Sequence, residues 1–180
     1  MTEQQPYRVV AQHPGFELRR YPAHLVAEVR VEGGFEQAAL DAFGPLGAYV
    51  GGANRSRQPI APGAGPETIA MTIPFVQEEG DRPEHWLAWL VMPGGFTPET
   101  LPEPVDPRVH IRAVPQQLAA AVRFSGRGTA KVFDRRAIAL GRAVTAAGLR
   151  PIGAVRYARF DPPRRLWFLR RNEVVLPIAE

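Results

Sequence analysis

Two stretches of this chain decide how it folds: Phe16–Gly33, FELRRYPAHLVAEVRVEG, and Val109–Gly126, VHIRAVPQQLAAAVRFSG. At a constant offset of 93 residues, seven of the 18 positions are identical. They pair Arg19 with Arg112, Pro22 with Pro115, Leu25 with Leu118, Ala27 with Ala120, Val29 with Val122, Arg30 with Arg123 and Gly33 with Gly126. Self-similarity at a fixed offset marks a duplicated supersecondary unit. Each stretch alternates with the period of a strand. Leu25, Ala27, Val29 and Val31 share one face; Val26, Glu28, Arg30 and Glu32 share the other. The second stretch repeats this with Leu118, Ala120, Val122 and Phe124 inward. One apolar and one wet face predict an antiparallel sheet covered by helices on one side.

Downstream of each stretch lies a helical stripe. Phe35, Ala39, Ala42, Leu46 and Tyr49 recur at i, i+4, i+7, i+11 and i+14, and Phe133, Ala137, Leu140, Val144 and Ala147 repeat that spacing. Gly148 is placed to cap the second helix. Pro45 is expected to kink the first helix or split it after Phe43. Strand-like runs follow at Thr68–Val76 and His85–Met92, then at Ile152–Phe160, Leu166–Arg170 and Glu173–Ile178. Between the halves, Pro93–Pro107 (PGGFTPETLPEPVDP) carries five prolines and two glycines, a density that helices and central strands exclude. A second insert, Gln58–Pro66, follows the first helix.

The expected fold is therefore α+β: two pseudo-symmetric β-α-β-β repeats forming a distorted antiparallel β-barrel with two helices. It is one domain, with repeat 1 at about 7–93, a proline-rich crossover at 94–107 and repeat 2 at about 108–178. A chain of 180 residues suits such a single shared core.

Composition narrows the chemistry. With no cysteine, disulfides, thiolate catalysis, cysteinyl metal clusters and thiolate-ligated haem are excluded. No window approaches the ~18 apolar residues of a membrane span, and Met1–Pro6 has neither a basic start nor an apolar run. A cytoplasmic protein without a membrane partner is expected. The net charge of +4 rests on arginines spread from Arg8 to Arg171, with Lys131 the only lysine. Nucleic-acid binding needs basic residues clustered on one face, so no nucleic-acid partner is expected.

Catalytic signatures are missing. There is no Gly-x-Ser-x-Gly, no phosphate-binding loop and no strand-anchored dinucleotide fingerprint. No catalytic residue and no metal site is assigned. The four histidines, His13, His24, His85 and His110, lie far apart in sequence. By parity His24 sits on the wet face, whereas His85 ends the apolar face of Leu87, Trp89 and Val91. Ile69, Met71, Ile73 and Phe75 project to one side of their run. The run His85–Met92 is apolar on both sides, and such a strand is either buried twice or forms the wall of an apolar cleft for a flat ligand.

Four groups of residues then give the chain a resemblance. They are Arg20-Tyr21; Phe43-x-x-Leu46-x-x-Tyr49-Val50-Gly51-Gly52-x-Asn54; Ile69-Ala70-Met71-Thr72-Ile73-Pro74; and Tyr157-x-x-Phe160-Asp161-Pro162-Pro163 with Arg171-Asn172-Glu173-Val174. Together they resemble the SOUL haem-binding family over about Tyr7 to Ile178. The resemblance implies the two-repeat fold, and kinship with gyrase-inhibitor-like effector-binding domains. It implies a soluble binder of haem or another tetrapyrrole, acting as carrier, buffer or sensor. Haem needs flat apolar walls and cations for its propionates. Tyr49, Met71, Phe75 and Trp89 are the candidate walls, and Arg55 and Arg57 the candidate cations. His85 and His24 are the candidate axial ligands, although neither falls in a family motif. The alternative is an effector-binding or partner-binding domain for a different hydrophobic or cationic ligand, with Glu67, Glu173 or Asp161 as a deep carboxylate. A hydrolase or haem-degrading enzyme is the third reading. Asn54, Asn172 and Glu173 are expected to bond turn backbone.

Overall fold

In a computed structural model, which describes residues 3–57 and 66–180, nine strands form one antiparallel sheet. They are β1 (Arg8–His13), β2 (Phe16–Tyr21), β3 (His24–Glu32), β4 (Phe75–Glu79), β5 (His85–Val91), β6 (His110–Val114), β7 (Gln117–Ser125), β8 (Arg156–Arg159) and β9 (Arg171–Ile178). Their order across the sheet is β6-β3-β5-β4-β8-β9-β7-β2-β1. The opening strand of each sequence repeat pairs with the long strand of the other: β2 with β7, and β6 with β3.

The helices α1 (Phe35–Val50) and α2 (Ala130–Ala146) cover one face. On that face α1 lays Ala42, Leu46 and Tyr49 against Ala27 and Val29 of β3 and Leu90 of β5. Phe133, Leu140 and Val144 of α2 pack with Leu118 and Phe124 of β7 and Val174 of β9. Phe35 joins the two, its ring 5.6 Å from Phe133. Gly33 and Gly126, paired in the repeat, both take positive φ (112° and 123°) where strand turns toward helix. That region strongly favours glycine.

Several expectations are corrected. The barrel does not close: β6 and β1 are free edges of an open sheet. The strand β1 doubles back on β2 with a register shift between Val9 and Ala11, and a bulged, extra edge strand turns away from closure. Pro45 does not split α1, which runs unbroken through it. The buried residues on both sides of it, Ala42, Leu46 and Tyr49, hold the helix by packing that outweighs a proline penalty of about 3 kcal/mol. Leu166–Arg170 is a loop with one 3-10 turn, Trp167–Leu169. Both edges of neighbouring β9 are already taken by β8 and β7, so β9 offers this run no edge to pair with. Thr68–Val76 is strand only at Thr72–Ile73 and from Phe75, and Ile152–Phe160 only at Arg156–Arg159. The insert Gln58–Pro66 lies, apart from Pro66, outside the described residues.

The largest correction concerns the sheet face away from the helices. It is not wet. Val26, Val76, Trp89, Val91, Val114, Ala158 and Phe160 are buried there as a second apolar layer, and Tyr21, Ala119, Ala121 and Val175 form a patch beside it.

Candidate functional site

The helix-free face forms a cleft because a strap of chain crosses it. Glu3–Gln4 pairs in parallel with Thr72–Ile73, and the Gln5 amide donates to the Ile73 carbonyl at 2.8 Å. Arg171 Nη1 donates to Gln4 Oε1 at 3.1 Å. Beyond Pro6, Tyr7 settles on the sheet, its ring 5.6 Å from that of Tyr21 and 4.1 Å from the Arg19 guanidinium. Beneath the strap the cleft is lined by Trp89, Val114, Phe160, His24, Arg112 and Arg156, among others. Its free volume is about 30 Å³, room for one water molecule. A wider groove of about 340 Å³ lies alongside, lined by Leu25, Met92 and Phe96. Gln5, His24 and Val114 line both, so the strap stands as the partition between them.

Trp89 is the flat floor. Arg112 and Arg156 approach its ring, with their guanidinium carbons 5.9 and 5.6 Å from the centroid. Each is held in place by a carboxylate. Arg112 Nε donates to Glu28 at 2.6 Å and Arg156 Nε to Glu78 at 3.2 Å. Cation and ring attract, and arginine's planar fork leaves further N–H groups for an incoming acid. Further along the same cross-strand row as Trp89, the Glu173 carboxylate is buried between two arginines. Arg19 Nη1 reaches it at 2.7 Å and Arg171 Nη2 at 2.6 Å. Burial disfavours the charge of Arg19, yet its bond to Glu173 keeps its pKa raised. Glu173 thus holds side chains rather than turn backbone, whereas Asn54 and Asn172 do bond backbone, at Tyr49 and Glu67 and at Gly126.

His24 has a fixed tautomer. Its Nδ1 lies 2.9 Å from the Pro22 carbonyl, which can only accept, so Nδ1 carries the proton. Nε2 then accepts from the Gln5 side-chain amide, 3.2 Å away. Burial holds the His24 pKa below its ordinary 6.5, the charges of Arg156 and Arg112 push the same way, and the Pro22 bond opposes. A depressed pKa in the folded state means that the unfolded chain takes up the proton first. Stability is therefore lost as pH falls below about 6.5, down to the folded pKa. In a histidine NMR titration, His24 is expected to titrate below the ordinary histidine value, and its protonation to break the Gln5 bond.

Of the sequence candidates, Trp89, His24 and Glu173 come together in this cleft. The others lie elsewhere. Tyr49 is buried under α1, where its hydroxyl donates to the Pro102 carbonyl at 2.7 Å. Phe75 packs in that same helix-side core. Met71 is exposed at 39%. Arg55 is exposed beside the crossover, and Arg57 pairs with Glu103 at 2.9 Å. His85 is half-exposed at the other end of β5, 3.3 Å from Glu32. Sequence reading missed Arg112, Arg156, Tyr7 and the strap. The Arg19–Arg112 correspondence in the repeat was a signal, since both arginines reach the cleft face. Among the described residues, no group of three His, Asp or Glu side chains is placed to hold a bare metal ion.

A family model for the SOUL heme-binding protein matches residues 2–177. The chain belongs to that family. Its fold is similar to the crystal structure of the EcmrR C-terminal domain, with a TM-score of 0.67 and 15% identity over 97% of this chain and 98% of that one. A cryo-EM structure of EcmrR bound to DNA matches with a TM-score of 0.66 and 15% identity over 97% of this chain, which spans 58% of that protein. A hydrolase from Listeria innocua has a TM-score of 0.61 at 14% identity, covering 94% of each chain. At such identities the likeness is one of fold. No curated protein matches the sequence. No helix among the described residues is long and apolar enough to cross a membrane.

Proposed function

We propose that this SOUL-family chain binds a flat, apolar small molecule bearing acidic groups in the strapped cleft, and that a tetrapyrrole such as haem is that molecule. The observation that carries the reading is the floor itself: a buried tryptophan with an arginine on either side, on a sheet face free of helices. The residues suit haem chemically. Trp89 offers a flat wall, Arg112 and Arg156 offer donors to propionates, and His24 offers a neutral imidazole nitrogen whose far side is already tied to a carbonyl, as ligating histidines usually are. When bound, haem would supply the iron that accepts that nitrogen. Room is the obstacle, because small-molecule pockets measure roughly 300–1,000 Å³ and the cleft has about 30 Å³. Binding must displace the strap.

A second reading keeps Glu173 as the recognition group for an aromatic cation, in the manner of an effector-binding domain. Its depth in the cleft favours this, and its engagement by two arginines counts against it.

Titration with haemin and with a cationic dye separates the two. A saturable Soret shift is expected, with affinity reduced roughly tenfold or more in Arg112→Ala with Arg156→Ala, in line with charge-assisted bonds, and with a changed band shape in His24→Ala. Met71→Glu and Arg55→Ala are expected to bind as the parent does. A titration without saturation overturns the haem reading. Loss of binding in Met71→Glu or Arg55→Ala moves the site to the helix side. Dye binding that depends on Glu173 establishes the second reading.

A further inference from the structure

Between β8 and β9 the chain leaves the sheet as Asp161-Pro-Pro-Arg-Arg-Leu-Trp-Phe-Leu-Arg170. Leu166, Trp167, Phe168 and Leu169 are 60, 50, 52 and 50% exposed. Four consecutive apolar residues at the surface mark an interaction site unless the segment is simply unfolded. This one is ordered. Arg165 N donates to the Pro162 carbonyl at 3.0 Å and Leu169 N to the Leu166 carbonyl at 2.9 Å. The Arg170 side chain donates to the Arg165 carbonyl at 2.8 Å, and Gly126 N ties the loop's end to β7 through the Arg170 carbonyl at 3.1 Å. These bonds fold the loop back on itself, while its four apolar side chains stay exposed. The Trp167 and Phe168 rings meet edge to face at 5.7 Å.

Cations surround this tip. Arg164 and Arg165 precede it, Arg170 follows it, and Arg127 stacks over Trp167 at 5.4 Å. Arg165 pairs with Asp161. Among the described residues, Arg127, Arg164 and Arg170 have no carboxylate within ion-pair distance. An apolar, aromatic point ringed by unneutralised arginines is complementary to one kind of surface: anionic outside and apolar just beneath.

We infer that the loop Asp161–Arg170 docks the protein on an anionic lipid surface. Trp167, Phe168 and the two leucines enter the headgroup boundary, where tryptophan is favoured, and the arginines meet lipid phosphates. The sequence-level expectation of no membrane partner came from the length needed to span a bilayer. Lying on one needs only a short apolar tip with basic flanks. The loop's stems carry the consequence to the cleft. Phe160 lines it, and Arg171 stacks on Phe160 at 3.8 Å while holding Glu173. Docking would set the cleft beside the phase in which flat apolar molecules dissolve.

The test is co-sedimentation of the whole chain with phosphatidylcholine vesicles, alone or with about a third phosphatidylserine to supply the surface charge. The protein is expected to sediment with the anionic vesicles only, less as salt rises. Its tryptophan emission is expected to shift blue, and Trp167→Phe to lose that shift, since Trp89 is buried and the half-buried Trp86 is tied to the Gly33 carbonyl. Trp167→Ser with Phe168→Ser is expected to weaken partitioning at least tenfold, given the apolar area removed. Each of Arg164→Ala and Arg170→Ala is expected to weaken it about fivefold. Haemin binding in the absence of lipid is expected to be unchanged in these variants, so a failed cleft and a failed loop are told apart. Equal recovery in the supernatant with both vesicle types overturns the inference. So does partitioning that survives the double serine variant, or a wild-type dimer that the variant makes monomeric, which would assign the tip to a second copy.

Discussion

Replacing Glu173 with glutamine is expected to destabilise the fold by roughly 3–5 kcal/mol, the usual cost of stranding a buried charge. Glu173 is 1% exposed, and its carboxylate answers two guanidinium groups at once. Glutamine keeps the shape and some hydrogen bonding but removes the charge. Arg19, 2% exposed, is then left with Glu17, whose side chain is 32% exposed and partly screened by water. For a chain of this length each kcal/mol corresponds to roughly 2–4 °C, so the melting temperature should fall by about 10 °C. The origin of the loss is checked by adding Arg19→Met. If the loss comes from stranded cations, the double variant regains part of it, with a coupling of about 0.5–3 kcal/mol. A melting temperature unchanged in Glu173→Gln would show that the pair is no more than neutral. The stakes extend to the cleft, because Arg19 also carries the Tyr7 ring and Arg171 holds Gln4 of the strap.

That network shows what could be read in the sequence and what could not. The helices were legible because their stripes follow a local period: Phe35, Ala42, Leu46 and Tyr49 are buried, as are Phe133, Leu140 and Val144. The long strands were legible from alternation, and the family from short strings in a fixed order. Parity also sorted Val26, Glu28 and Arg30 to one face correctly. Parity alone does not show that this face is covered, because a charged residue reads as a sign of water. Glu28 instead reaches across to Arg112 on the neighbouring strand, and the pair lies over an apolar floor. Such cross-strand neutralisation is 84 residues long in sequence, so no local pattern reports it. His24 was misplaced with its face, and falls in the cleft once the face does. Trp89 lies in the cleft, in keeping with a strand apolar on both sides, which requires something to cover its second side. The Leu166–Arg170 run has a strand's composition, but whether it finds a free sheet edge is a property of topology. Gln4 and Gln5 carry no signal at all. Their importance comes from lying over the cleft.

Deleting residues 1–6 is expected to raise the affinity for a flat ligand by roughly 30- to 150-fold. The strap is held by a few bonds that any ligand must break first: Gln5 N to Ile73, the Gln5 amide to His24 Nε2, and Arg171 to Gln4. A net worth of about 1 kcal/mol each gives a closed state favoured by about 2–3 kcal/mol. The apparent affinity is reduced by the fraction of molecules that are open, and deletion removes that tax. Gln5→Ala breaks only the His24 bond and should give a gain of roughly fivefold. The two variants also separate lid from ligand mimic. If the strap merely covers the cleft, truncation speeds association and leaves dissociation unchanged. If the Gln5 amide also competes for His24 Nε2, then Gln5→Ala alone changes the Soret band shape of the haemin complex, and His24→Ala abolishes that change. Stopped-flow haemin binding reads both. An affinity that falls on truncation would mean that Gln4 and Gln5 belong to the ligand's own wall, and that the strap closes over an occupied cleft instead of barring an empty one.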